Sequence, residues 1–190
     1  MADALEIAEG NVFDCELITG RTHKIILWGL NSFRHIRTLD QKVNEDDMPR
    51  SYSTLTLDDA KHMLSAAETK AASFGIAYNI AVVDAGGHLL AFVRQDGALI
   101  GSIDLAIDKA VTARIFDKTT SHLAQLSQPG SPLYGIQETN AGKVVIFGGG
   151  IPITLNGSIV GAVGASAGTV EQDIAVAEAA IAALGQSQPT

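Results

Sequence analysis

Arg94 ends an apolar run in Phe92-Val-Arg-Gln-Asp-Gly97, where a side chain can leave a sheet edge and point into a cavity. Its guanidinium could clamp a carboxylate through two parallel hydrogen bonds, or pair with Asp96 and merely shape the turn. Lys109 is the only cation between Ser102 and Arg114 and flanks an apolar stripe. A lysine there is often a snorkelling stem with its ammonium in water; the functional reading puts a positive charge at the rim of an apolar pocket, with Thr112 and Phe116 on the same strip. The bend Gly148-Gly149-Gly150 and the free N–H groups that begin a helix at Thr169 could add backbone donors for a carboxylate or phosphate. Asp84, His88 and Asp96 are the groups that could shuttle a proton. Their spacing proves no dyad.

Other chemistries find less support. Gly164-Ala165-Ser166-Ala167-Gly168 satisfies G-x-S-x-G, but a hydrolase elbow needs a histidine after the serine, and the last histidine is His122. A capping box starting at Thr169 also leaves Ser166 in the preceding loop. No G-x-G-x-x-G or P-loop pattern exists, and the five histidines form no H-x-x-x-H or H-E-x-x-H arrangement, so no metal site is expected. The single Cys15 cannot make an internal disulfide, which points to reducing cytoplasm. A net charge of −8 leaves no basic patch, so neither nucleic acid nor an anionic membrane is an expected partner. Residues 144–170 contain no charged residue, yet seven glycines, Pro152 and alternating apolar positions make buried β-structure the better reading than a membrane span. The acidic N-terminus does not resemble an export signal.

The chain's 190 residues suffice for one globular domain with a sizeable core, and composition divides it near residue 50. Residues 1–52 carry six Lys+Arg and nine Asp+Glu, leaving seven and twelve in residues 53–190. Residues 1–52 show no clear period. They form a separate N-terminal extension with a solvated linker at Asn44–Arg50; residues 1–47 either pack on the domain or on a neighbouring subunit, or are upstream sequence, with Met48 as the natural start. Beyond that point Leu57, Ala60, Leu64, Ala67, Ala71 and Phe74 mark a helix capped by Thr56 and ended by Gly75. Strands 77–84 and 89–94 flank a Gly86-Gly87 reversal. A second helix, capped by Ser102, should bury Ile103, Ala106, Ile107, Ala110 and Ala113; a shorter one opens at Thr119 or Thr120. Strands are expected over Lys143–Phe147, Ile151–Leu155 and Ser158–Ala165, the last two joined at Asn156-Gly157. A final helix runs behind the Thr169-x-x-Gln172 capping box with Val170, Ile174, Ala177, Ile181 and Leu184 inward. This order is α+β.

Six segments in this order, Ala81–Leu89, Phe92–Gly97, Ser102–Ala110, Gln128–Tyr134, Phe147–Pro152 and Gly168–Asp173, together resemble the GlcG/HbpS-like family, which includes the C-terminal domain of PduO-type proteins. The resemblance covers residues 55–184. It implies a profilin-like antiparallel sheet flanked by helices, assembly into homo-oligomers, and functions that vary from haem binding to a link with corrinoid metabolism or small-carboxylate catabolism. It also implies that Lys109-Ala-Val-Thr112 matches a Lys-x-x-Thr pattern whose threonine contacts haem in relatives. The resulting expectation is a cytoplasmic binding protein for a small anionic apolar molecule, with haem as the candidate cofactor and no other implied. Its binding residues would be Arg94, Lys109, Thr112, Phe116, Pro132, Gly148, Gly149, Gly150 and Thr169. The alternatives are an isomerase or hydrolase of a small unsaturated carboxylate, using Asp84, His88 or Asp96, and a stabilising partner for another enzyme.

Overall fold

The structure, a computed structural model, describes residues 12–17, 21–26 and 52–184. The chain divides into two compact units, residues 1–49 and 50–190. In the first, β1 (Val12–Leu17) and β2 (Arg21–Ile26) pair as an antiparallel hairpin with Cys15 opposite His23, an element that the aperiodic sequence does not announce. The expected linker and the alternative start at Met48 lie outside the described residues.

The second unit begins with α1 (Leu57–Ser73). Thr56 caps it as expected, and Asp59 completes a capping box: the Asp59 N–H donates to Thr56 Oγ1 at 3.2 Å while Asp59 Oδ2 accepts from the Thr56 N–H at 2.8 Å. Strands β3 (Asn79–Asp84) and β4 (Leu89–Arg94) form the first hairpin; β5 (Gly150–Leu155) and β6 (Ser158–Ser166) form the second. Asn156 and Gly157, at φ 50° and 78°, make the tight turn that Asn-Gly favours. All pairings are antiparallel, in the order β4-β3-β6-β5. This is the α+β architecture that the element order implies.

Strand alternation gives the sheet two different faces. Ile80, Val82, Val163 and Ala165 pack with Ala60, Met63, Ala67 and Ala71 of α1 and with Val176, Ala177 and Ala180 of α4 (Val170–Leu184). Ala81, Val83 and Ala162 pack on the other side against Ala106, Ala110 and Ala113 of α2 (Ser102–Phe116). Alanines and glycines let α2 lie unusually close. A Cβ on Gly164 would stand 2.1 Å from the Ala106 carbonyl oxygen and 2.6 Å from the Ala110 nitrogen, so this position has room only for hydrogen.

That close approach also corrects the predicted stripe of α2. Ile103 and Ile107 are only half-buried, whereas Lys109 and Thr112 join Ala106, Ala110 and Ala113 in the interior. Ser102 is the first helical residue, not the cap; Gly101 holds the cap position and offers no side chain. The short α3 (Thr120–Leu126) is capped by Thr119, as expected.

Residues 143–147 are not a strand. Their backbone bonds to a helix instead of a sheet neighbour: the Val145 N–H donates to Thr112 Oγ1 at 3.1 Å, and the Thr112 hydroxyl donates to the Lys143 carbonyl at 3.3 Å. β6 runs one residue further than expected, so that Ser166 lies in the sheet opposite Asn79 and not in the loop before α4. No described helix is long and apolar enough to cross a membrane.

Candidate ligand-binding site

The triple-glycine bend leads into β5 and closes over a buried ion pair. Lys109 Nζ donates to Asp173 Oδ2 at 2.6 Å and to the Ala165 carbonyl at 3.0 Å, with the Phe147 ring centroid 4.8 Å away. Asp173 Oδ1 accepts from the N–H groups of Ala167 and Gly168, each at 3.1 Å, so each charge is paired and hydrogen-bonded, as buried charges require. Burial pushes the Lys109 ammonium below the usual lysine range, and Asp173 offsets part of that shift. Burial, reinforced by Asp173, raises the Tyr78 phenol above its usual range. A Cβ at Gly149 would lie 2.8 Å from Lys109 Nζ and 2.9 Å from Asp173 Cβ; the glycine is what lets the chain pass over the pair.

Lys109 is therefore not at the rim of a pocket. Its side chain is completely enclosed, and every bond it makes is internal. The implied haem contact, Thr112, is also buried, and its hydroxyl both accepts and donates within the 143–145 segment. Two of the expected backbone donors are occupied: the Gly150 N–H donates to Thr120 Oγ1 at 3.0 Å, and the Thr169 N–H donates to Gln172 Oε1 at 2.9 Å. Gly148 and Gly149 are buried in the same bend, Phe116 is half-buried at the end of α2, and Pro132 is exposed in the loop after α3.

The proton-transfer candidates are scattered. Asp84 Oδ1 accepts from the Gly86 and His88 N–H groups at 2.8 and 2.9 Å, and His88 Nδ1 lies 3.5 Å away. Partial burial opposes its ionisation, but those backbone donors outweigh it and hold the carboxyl below its ordinary value. Asp84 thus fastens the β3–β4 turn. Asp96 is exposed in the loop after β4. Among the described residues no group of three His, Cys, Asp or Glu is placed to hold a metal ion.

Arg94 differs from Lys109 in every respect. It is exposed at the end of the edge strand β4, and among the described residues it has no ion pair or side-chain hydrogen bond, Asp96 included. It stands opposite Asn79 in the register, and Asn79 Nδ2 donates to the Leu99 carbonyl at 2.9 Å. That bond draws the loop between β4 and α2 to the Arg94 end of the sheet, with Leu99 64% and Ile100 74% exposed. The arrangement can meet a carboxylate and cover apolar surface beside it. The expected meeting of Arg94 and Lys109 is replaced by two separate features: an enclosed ion pair and an open cationic corner.

Sequence reading missed Asp173, although the signal was present. Asp173, Val176, Ala177 and Ala180 are spaced i, i+3, i+4 and i+7, which places the aspartate on the inward face of α4.

Residues 55–182 match the family model described as haem degrading protein HbpS-like. The chain belongs to this family. A relative, an uncharacterized 15.0 kDa protein in the dhaT-dhaS intergenic region of Citrobacter freundii, is 46% identical over 129 residues, 68% of this chain and 91% of that protein. The crystal structure of Klebsiella pneumoniae protein ORFY superposes with a TM-score of 0.72 at 38% identity, covering 74% of this chain and 97% of that one. The crystal structure of a PduOC:heme complex gives a TM-score of 0.67 at 38% identity, covering 68% and 94%. The HbpS-like region covers both hairpins of the four-stranded sheet, α1 to α3 and α4 as far as residue 182, so residues 1–54 lie outside the family match.

Proposed function

We propose that the HbpS-like domain binds an anionic ligand with a broad apolar surface, with haem or another tetrapyrrole as the class. The observation that carries this reading is the pairing of an exposed Arg94, unpartnered among the described residues, with the exposed Leu99 and Ile100 at one corner. Single exposed apolar residues are ordinary, but two in succession beside a free guanidinium suit a flat molecule bearing carboxylates. The similarity to a domain solved in complex with haem supports the choice of class. Lys109 and Thr112 act in this reading as framework, because their polar atoms are already paired inside the protein.

The test is titration with hemin followed at the Soret band. Saturable one-to-one binding is expected, weakened at least tenfold in Arg94→Ala and in the double variant Leu99→Ser/Ile100→Ser. Adsorption that never saturates, or affinity indifferent to both variants, overturns the reading.

A further inference from the structure

One row of the sheet beneath the start of α2 is polar where its neighbour is apolar. Phe92, Ala81 and Gly164 lie in register across β4, β3 and β6 and face α2. Two residues along each strand, Arg94, Asn79 and Ser166 occupy the next row on the same face. Asn79 is wholly buried, and Ser166 is 4% exposed. Ser102, 7% exposed, begins α2 above them, and the Leu99 carbonyl accepts from both Asn79 Nδ2 at 2.9 Å and the Ser102 N–H at 3.1 Å. That shared acceptor places the Asn79 carboxamide at the first turn of α2.

These groups are underused. Among the described residues Asn79 Oδ1 has no hydrogen-bond partner, none bonds the Ser102 or Ser166 hydroxyl, and none pairs with Arg94. A buried acceptor left empty is costly, and here it coincides with two unbonded hydroxyls, a guanidinium and a fifteen-residue helix whose N-terminus has no side-chain cap. The geometry points to a binding site for a small carboxylate carrying a hydroxyl. Arg94, the Ser102 and Ser166 hydroxyls and the positive helix end supply donors for the carboxylate. Asn79 Oδ1 can only accept, so it selects a molecule that brings its own donor, and the near-complete burial of three of these residues limits the ligand to a few atoms. The site shares Arg94 with the tetrapyrrole reading but uses neither Leu99 nor Ile100 side chains.

Lactate and propionate, which differ by one hydroxyl, are the probes. Nitrogen–proton correlation spectra of the full chain should show saturable shifts of the Asn79 side-chain amide and Ser102 backbone amide with lactate, and at least tenfold weaker binding of propionate. Ser166→Ala and Arg94→Lys should each weaken lactate at least threefold, and Asn79→Ala at least tenfold. Thermal melts confirm that each variant is folded; Ser166→Ala keeps the test open if Asn79→Ala is not. Leu99→Ser/Ile100→Ser should lose hemin but keep lactate, which separates the two readings. Absence of saturable shifts, equal affinity for the two acids, or lactate affinity unchanged in Ser166→Ala and Arg94→Lys overturns the proposal; in those cases Asn79 Oδ1 serves only a buried water.

Discussion

Lys109 and Asp173 come from helices on opposite faces of the sheet, yet their charged atoms lie 2.6 Å apart beneath Gly149. The pair ties α2 to α4 past the start of β5, and the Ala165 carbonyl joins it to β6. Removing one partner strands the other charge in the interior, which costs about 3–5 kcal/mol, whereas an apolar replacement for both can cost less. Lys109→Met and Asp173→Asn are each expected to lower stability by that amount in urea unfolding. The double variant Lys109→Met/Asp173→Leu should lose less than the sum of the single losses. Single losses below about 1 kcal/mol would show that the pair does not hold the layers together.

The same two residues show how far the sequence could be read. Helices, hairpins and caps were legible because each rests on local chemistry: Thr56 and Thr169 cap their helices, and Asn156-Gly157 turns its hairpin. The inward face of α2 was not, because its packing is set by what β6 lacks. Only with Gly164 pressed against Ala106 does the helix sit close enough to bury Lys109 in place of Ile103. The burial of charge could have been noticed: Ser102, Ala106, Lys109 and Ala113 follow 4-3-4 spacing, as Asp173 and its partners follow their own, and the two stripes carry opposite signs. The strand expected at 143–147 failed for a different reason. Val144 and Val145 are buried, but Thr112, distant in sequence, takes the backbone bonds of this segment.

Glycines in this fold should divide sharply by cause. At Gly164 a methyl group meets backbone atoms on a packed helix, which cannot yield as a flexible side chain would. Gly164→Ala is expected to cost at least ~3 kcal/mol, at the upper end of overpacking penalties. Gly157, at φ 78° with nothing near its missing Cβ, bears only the left-handed backbone penalty, and Gly157→Ala should cost about 1–2 kcal/mol. Chemical denaturation of both variants measures the difference; equal losses would refute the close approach of α2 to β6.

Acid should loosen the β3–β4 turn and the start of α1. Asp84 and Asp59 both have folded-state pKa values below their ordinary ones: Asp84 through backbone donors that overcome partial burial, Asp59 chiefly through the Thr56 hydroxyl and N–H. A depressed carboxylate pKa contributes stability that is fully present above the unfolded value near 3.8 and is lost as pH falls through the folded value. Stability should therefore decline from about pH 4 to 5 downward. Asp84→Asn should flatten that decline while costing less than about 1 kcal/mol at neutral pH, because the site is partly solvated. Unfolding midpoints measured from pH 7 to pH 2.5 check the slope, and an unchanged slope in Asp84→Asn would remove the turn from the acid response.

Thr112 provides the sharpest separation between framework and ligand. Among the described residues its hydroxyl is the only side-chain group that bonds the Val145 N–H and the Lys143 carbonyl, at 3.1 and 3.3 Å, and these bonds hold the approach to the glycine bend against α2. Thr112→Val keeps the shape and removes the hydroxyl, leaving a buried N–H unpaired at a cost of about 1–3 kcal/mol. If Thr112 is framework, stability falls by that amount while hemin affinity, measured well below the melting temperature, stays within twofold of the original chain. If it touches the ligand, affinity falls and stability moves little. Measuring both on one preparation decides the matter, because the two roles predict opposite patterns from a single exchange of oxygen for carbon.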